Sequence, residues 1–166
     1  KAKLPFAADW EKIERAYVDS YVWGGKERAY LTYGQLAYAK TEDEKAGLYV
    51  HLFCEEKNPV SKETEPDGMV CVDSCIEFFF GMYEPNEIDS RYVNIECNSL
   101  GVMRAKFGKE RKGRVFLSEM GIGRFPVSVS LGEKGWEVFY FIPEGDLKKI
   151  FGLTKIDERT AMRGNF

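Results

Sequence analysis

Two carboxylates, Glu77 in "CVDSCIEFFF" and Glu96 in "RYVNIECNS", stand in segments whose alternate positions are apolar. In the first, Ile76, Phe78 and Phe80 form one row, and Asp73, Cys75, Glu77 and Phe79 form the other. In the second, Val93, Ile95 and Cys97 oppose Tyr92, Asn94, Glu96 and Asn98. A period of two is the mark of a half-buried strand. Gly81, Pro85, Asn86 and Asp89 supply turn chemistry between the two, which predicts antiparallel neighbours. If the apolar rows share one core, Glu77 stands beside the polar row. Two acids so placed could approach the roughly 5 to 5.5 Å separation that retaining glycoside hydrolases use. They could equally serve as hydrogen-bond acceptors without doing chemistry.

Neighbouring segments extend the set. In "GLYVHLFCEE" the parity groups Tyr49, His51, Phe53 and Glu55, and in "VMRAKF" it groups Arg104 with Lys106. If strand order follows sequence, His51, Glu77, Asn94, Glu96, Asn98 and Arg104 converge on one surface, with Tyr49, Phe79 and Tyr92 nearby. Donors, acceptors, both charges and aromatic faces are what hydroxyl pairs and the apolar side of a sugar ring require. The same row also fits the solvated outer face of an antiparallel sheet.

The elements that must carry these residues are short, β-branched and aromatic. Strands are predicted over 30–39, 47–56, 74–83, 91–99, 102–108, part of 114–120, 125–132 and 135–143, with turn residues between them. This pattern implies an all-β, two-sheet antiparallel sandwich of jelly-roll or immunoglobulin-like architecture rather than βαβ units. One short helix is predicted near the C-terminus, in "PEGDLKKIFG", with Asp146 as N-cap and Gly152 as its stop. The opening "ADWEKIERAYVDSYVWGG" stays unassigned. A length of 166 residues fits one domain over 1–166.

Composition narrows the function classes. A formal charge of −3 gives no electrostatic basis for nucleic-acid binding, and the basic run Lys109 to Arg114 reads as a solvated loop. No apolar run approaches the roughly 18 residues of a membrane span, and no signal peptide opens the given chain. Four cysteines, Cys54, Cys71, Cys75 and Cys97, are too few and too irregular for a disulfide scaffold. Cys54 and Cys97 point to the apolar side as buried thiols; a bridge between them would require adjacent strands. His51 is the single histidine, and no methionine has a diagnostic spacing to it for haem ligation. Oxygen donors for a structural calcium cluster in acidic loops, Glu55, Glu56, Asp67, Glu84, Glu87 and Asp89, without EF-hand spacing.

The ordered set "GLYVHLFCEE", "VCVDSCIEFFF", "YVNIECNSLG" and "GWEVFYFIP" resembles the family 9 carbohydrate-binding modules, within the DOMON-like sandwich superfamily. The resemblance runs over nearly the whole chain. It implies non-catalytic binding of a sugar or glycan end, a saccharide as partner, structural calcium in some members, and an extracellular or cell-associated place. It marks Glu77 as a sugar-contacting acid and Arg104 as a ligand-binding arginine. The family stacks sugar rings on tryptophans. One falls just before the acidic strand, where this chain has Met69, Val70 and Cys71, and the other beyond Phe166, so the domain is expected to be truncated at its C-terminus. Trp23, in "YVWGG", is the candidate substitute. The alternatives are a protein-interaction or ligand-lost module and, from the residues themselves, a glycoside hydrolase using Glu77 and Glu96.

Overall fold

The computed structural model describes residues 9–20, 30–40, 45–85, 87 and 89–166. Alternation in the sequence becomes two five-stranded antiparallel sheets. The first contains β1 (Ala16–Tyr17), β2 (Thr32–Lys40), β3 (Ala46–Cys54), β8 (Val127–Gly132) and β9 (Gly135–Pro143), in the order β1-β2-β3-β9-β8. The second contains β4 (Cys75–Tyr83), β5 (Tyr92–Asn98), β6 (Met103–Gly108), β7 (Val115–Phe116) and β10 (Ala161–Asn165), in the order β10-β4-β5-β6-β7. The sheets pack face to face, and the predicted rows Val50, Leu52, Ile76, Phe78, Phe80, Val93 and Ile95 all lie in the core between them. Each such large side chain contributes about 1.5–3 kcal/mol by leaving water.

Helix α1 (Glu144–Phe151) lies at the predicted place and buries Leu147, Ile150 and Phe151. Its start differs from expectation. Pro143 occupies the N-cap, no side chain caps the helix, and Asp146 falls inside the first turn, where a negative charge still suits the helix dipole. The chain runs directly from β9 into α1, so proline's fixed φ, rather than an acidic cap, sets the first turn. Gly152 ends the helix at φ 72°, as predicted.

Two strands escape the sequence pattern. The two-residue β1 is too short to show a period. In β10, "AMRGN" carries few apolar residues because four of its five positions are exposed. Pairing with β4 from Tyr83 to Phe79 holds β10 in place, and the following Phe166 stacks on Phe78 with ring centroids 4.9 Å apart. The segment around Trp10, Ile13 and Tyr17 forms a 3-10 turn over Trp10–Lys12 and then extends into β1. All four cysteines are free, with Cys54 and Cys97 buried in opposite sheets. No helix among the described residues is long and apolar enough to cross a membrane.

The β8–β9 hairpin turns on Gly135, whose φ is 147° and whose missing Cβ would fall on the carbonyl oxygen of Cys54. Gly132, across the turn, has room for a methyl group. Urea denaturation should therefore show Gly135→Ala less stable by about 1–3 kcal/mol, whereas Gly132→Ala stays within about 0.5 kcal/mol of the parent.

Candidate functional site

The registers of β4, β5 and β6 lay out the outer face of the second sheet in rows. Glu77 pairs with Glu96, and Glu96 with Arg104, so the three share one row. Next to it lie Asn165, Phe79, Asn94, Lys106 and Phe116, again paired in sequence across five strands. Rows on one face are about 6.5–7 Å apart, the length of two residues.

Asn94 and Glu96 are 1% and 8% exposed although both point away from the core. Arg114, from the β6–β7 connection, donates from Nη1 to Asn94 Oδ1 at 2.7 Å. A guanidinium only donates, so this contact fixes which amide atom is oxygen. Asn94 Nδ2 then points elsewhere, buried and without a hydrogen-bond partner, as is Glu96 Oε2. A donor and an acceptor are thus left unsatisfied on neighbouring rows of one face. Buried polar groups are rarely left so.

Burial, followed by the charge of Glu96, pushes the Glu77 carboxyl above the ordinary carboxylate range, while Arg114 and the Asn94 amide pull it back. The amide acts from nearby, outside good hydrogen-bond geometry. Aromatic rings hold the cations. Lys106 Nζ lies 4.3 Å from the Phe116 centroid, and the Arg104 and Arg114 guanidinium carbons lie 5.6 Å from Phe116 and 5.7 Å from Tyr92.

Asn98 lies one row beyond Glu96, and its carboxamide is fully engaged. Its Nδ2 donates to the Glu63 carbonyl (3.0 Å) and to Asp73 Oδ2 (2.9 Å), and its Oδ1 accepts from the backbone of Leu100 and Val102. It therefore ties the β5–β6 turn to the 57–74 loop. That loop is built around two acids: Asp73 accepts from the Lys62 and Glu63 amides, and Glu63 from those of Thr64, Glu65 and Met69. These backbone donors hold both carboxyls below their usual range. The loop delivers Gly68 and Met69 to Arg104, whose Nη1 donates to the Gly68 carbonyl at 3.1 Å and lies beside the Met69 sulfur.

His51 is not part of this surface, and neither is Tyr49. Strand β3 pairs with β2 and β9, because the loop after Cys54 carries the chain across to the other sheet before β4 begins. On that sheet's outer face His51 is 4% exposed. Gln35 Nε2 donates to the carbonyls of Trp10 and Ile13, leaving Oε1 to accept from His51 Nδ1 at 2.8 Å. His51 Nε2 meets Glu137 Oε2 at 3.0 Å, and its ring stacks on Phe139 at 4.2 Å. Trp10 packs against both rings. His51 thus fastens the N-terminal segment to the first sheet. Trp23 lies outside the described residues.

The acids expected to suit calcium are mostly engaged elsewhere. Glu56 accepts from Ser74 and Trp136, Asp67 from Ser118 and the Ala105 amide, Glu84 from Thr154, and Asp89 pairs with Arg91. Among the described residues, no three His, Cys, Asp or Glu side chains gather as a metal site. Two contributors to the face went unforeseen. Arg114 was hidden in a basic run that reads as solvated loop, and Asn165 sits in a strand without apolar signal.

The profile for carbohydrate-binding family 9 matches residues 2–166. The chain belongs to that family. A crystal structure of a protein from Bacteroides uniformis, named as a candidate carbohydrate-binding protein, superposes with a TM-score of 0.71 at 25% identity. The match covers 94% of this chain and 71% of that one. No curated protein matches. For this family 9 chain the comparisons support carbohydrate binding, and the geometry above distinguishes its two outer faces.

Two outcomes follow. Because Glu77's folded-state proton affinity is raised, the folded protein binds more protons than the unfolded chain between the ordinary carboxyl pKa of about 4.3 and the folded value. Stability from this group therefore falls as pH rises through that window. Glu77→Gln, which cannot ionise, should match the parent at pH 3.5 and become relatively more stable as pH rises above about 4.5, read by denaturant unfolding at each pH. His51→Ala should cost about 2–4 kcal/mol of stability through its lost packing and hydrogen bonds, with saccharide binding by the folded variant unchanged in calorimetry.

Proposed function

We propose that this family 9 chain binds a saccharide without cleaving it, on the outer face of the second sheet, through Glu77, Asn94, Glu96 and Arg104. The observation that carries this reading is the pair of buried, unpartnered atoms, Asn94 Nδ2 and Glu96 Oε2, on one face. A sugar hydroxyl both donates and accepts, so neighbouring hydroxyls satisfy an amide donor and a carboxylate acceptor together. Arg104 adds a charged donor with free N–H groups. Phe79 and Tyr92, with centroids 6.0 Å apart, offer the apolar side of a ring something to cover. Asn98 supports the site by holding the loop behind Arg104.

The carboxylate pair does not suit hydrolysis. A glycoside hydrolase places its two acids on either side of the scissile bond, whereas Glu77 and Glu96 are cross-strand neighbours that meet a ligand from the same side.

Sugars exchange water's hydrogen bonds for the protein's, so the net gain per group is small. Dissociation constants of about 0.1–10 mM are expected, or about 3–5 kcal/mol. Calorimetric titration with cellotriose and xylotriose should give such binding for the parent and a loss of at least about tenfold in Glu77→Ala, with no reducing ends released on long incubation. Binding undiminished in Glu77→Ala would move the site elsewhere, and hydrolysis abolished by that substitution would make the protein an enzyme.

A further inference from the structure

Four cations on this same face form no ion pair among the described residues, although the Arg114 charge acts on Glu77 from a distance. Arg104, Lys106, Arg114 and Arg163 project from β6, the β6–β7 connection and β10. The ion pairs among the described residues all lie elsewhere: Lys12 with Asp9, His51 with Glu137, Arg91 with Asp89, Lys148 with Glu144, and Lys155 and Arg159 with Asp157. What the four touch is neutral. Arg104 donates to the Gly68 carbonyl. Arg114 donates to the Arg111 carbonyl and to Asn94 Oδ1. Arg163 donates from Nη2 to the Asp89 carbonyl at 2.7 Å. Lys106 makes no hydrogen bond among the described residues and rests on the Phe116 ring. Carbonyl oxygens and ring faces orient a cation without neutralising it. Arg104, Lys106 and Arg114 are also half-buried, where an unbalanced charge is less screened than on an open surface.

The chain as a whole is acidic, with a net charge of −3. Cations elsewhere among the described residues that also form no ion pair, such as Lys57, Arg111 and Lys134, are exposed, so half-buried cations without an ion pair are a local property of this face. Glu77 and Glu96 share the face, yet neither forms an ion pair with these four residues. The charges are also distributed unevenly. Both acids lie in the row that ends at Arg104. Toward the opposite end, Arg163 lines a shallow depression with Phe79, Gly81, Tyr92 and Asn165, and the Arg114 guanidinium lies 5.7 Å from the Tyr92 ring; Lys106 stands apart, with its ammonium on Phe116 of β7. Three rows about 6.5–7 Å apart give room for two or three sugar units along this direction.

Resting on the saccharide reading of the face, we infer that the depression between Tyr92, Phe79 and Arg163 is a subsite for an anionic sugar. The ring covers the aromatic pair, and its acidic group lies between the Arg114 and Arg163 guanidinium groups. The adjoining sugar meets the Glu77 row with hydroxyls alone, because an acid there would face two carboxylates. Recognition is therefore directional along the chain of the glycan. The shared chemistry is a single negative charge with oxygens that accept paired N–H donors, which either a uronic acid carboxylate or a sulfate ester supplies.

The test is calorimetric titration of the chain at low salt with four ligands: xylobiose carrying one terminal glucuronic acid, its methyl ester, a galactotriose carrying one terminal sulfate ester and neutral xylotriose. At least one anionic ligand should bind about tenfold more tightly than the ester and xylotriose, and the advantage should shrink to about threefold at 0.5 M salt. The stronger of the two anionic ligands identifies carboxylate or sulfate as the group read. Arg163→Gln should abolish most of the advantage while leaving xylotriose affinity unchanged. Glu77→Ala should weaken all four ligands. Equal binding of charged and uncharged ligands, or an advantage that survives in Arg163→Gln, overturns the anionic subsite and leaves saccharide binding standing. If none of the four ligands binds, the saccharide reading falls, and the subsite with it.

Discussion

Strand β5 carries Val93, Ile95 and Cys97 into the core at full burial and Asn94, Glu96 and Asn98 to the opposite face, and a slip of one residue against β4 or β6 would exchange the two sets. The slipped strand would place a carboxylate and two carboxamides inside the sandwich, each costing at least a few kcal/mol unpaired. The pairings of Glu77 with Glu96 and of Glu96 with Arg104 therefore follow from the core, without any attraction among the polar groups themselves. Everything on the face inherits this register: the rows, the reach of Arg114 to Asn94, and the turn in which Asn98 receives its four hydrogen bonds.

Period-two patterning made most of the fold legible. The rows in β3, β4, β5 and β9 differ sharply in polarity, so the strands, their inward residues and the direct contact of β4 with β5 could be read from residue types. What the pattern does not contain is sheet membership. A strand with one apolar face looks the same in either layer, and the residues between Cys54 and Cys75 give no sign that they cross from one to the other. That is why His51 and Tyr49, which share the parity of a site, lie on the far side of the molecule. Arg114 was illegible for a different reason. The run around it is charged and exposed, and that one side chain turns back across the sheet to Asn94, packed against Gly108. Strand β10 gave no signal because edge pairing depends on backbone groups and needs no apolar row.

The site also shows where local rules are broken. Glu77 and Glu96 repel, both are substantially buried, and nearby amide and carboxylate atoms remain unpaired. Such departures lower stability, and natural proteins tend to retain them where a ligand makes use of them. The opposite arrangement is found at His51, where every polar atom has a partner and rings close on both sides. A saturated network of this kind rigidifies its surroundings and leaves nothing for a ligand to satisfy. Two polar clusters on the outer faces of one sandwich are thus distinguished by whether their hydrogen-bonding capacity is used up.

The order of strands in the first sheet has a consequence for how the chain assembles. Strand β3 lies between β2 and β9, and β9 comes only after the whole of β4 to β8, so pairs such as Leu52 with Val138 close a loop that contains most of the second sheet. The entropy of that closure comes before its contacts repay it. Strands β4 to β7, by contrast, are joined in sequence as a meander and pair with one another as near neighbours, with β10 added to the free edge of β4 later. During synthesis this part can pair while β9 is still absent, and it can offer its apolar side as a surface on which β2 and β3 wait. The centre of the first sheet is then completed among the last elements, which makes the joining of β3 to β9 the slow, topology-limited step of folding.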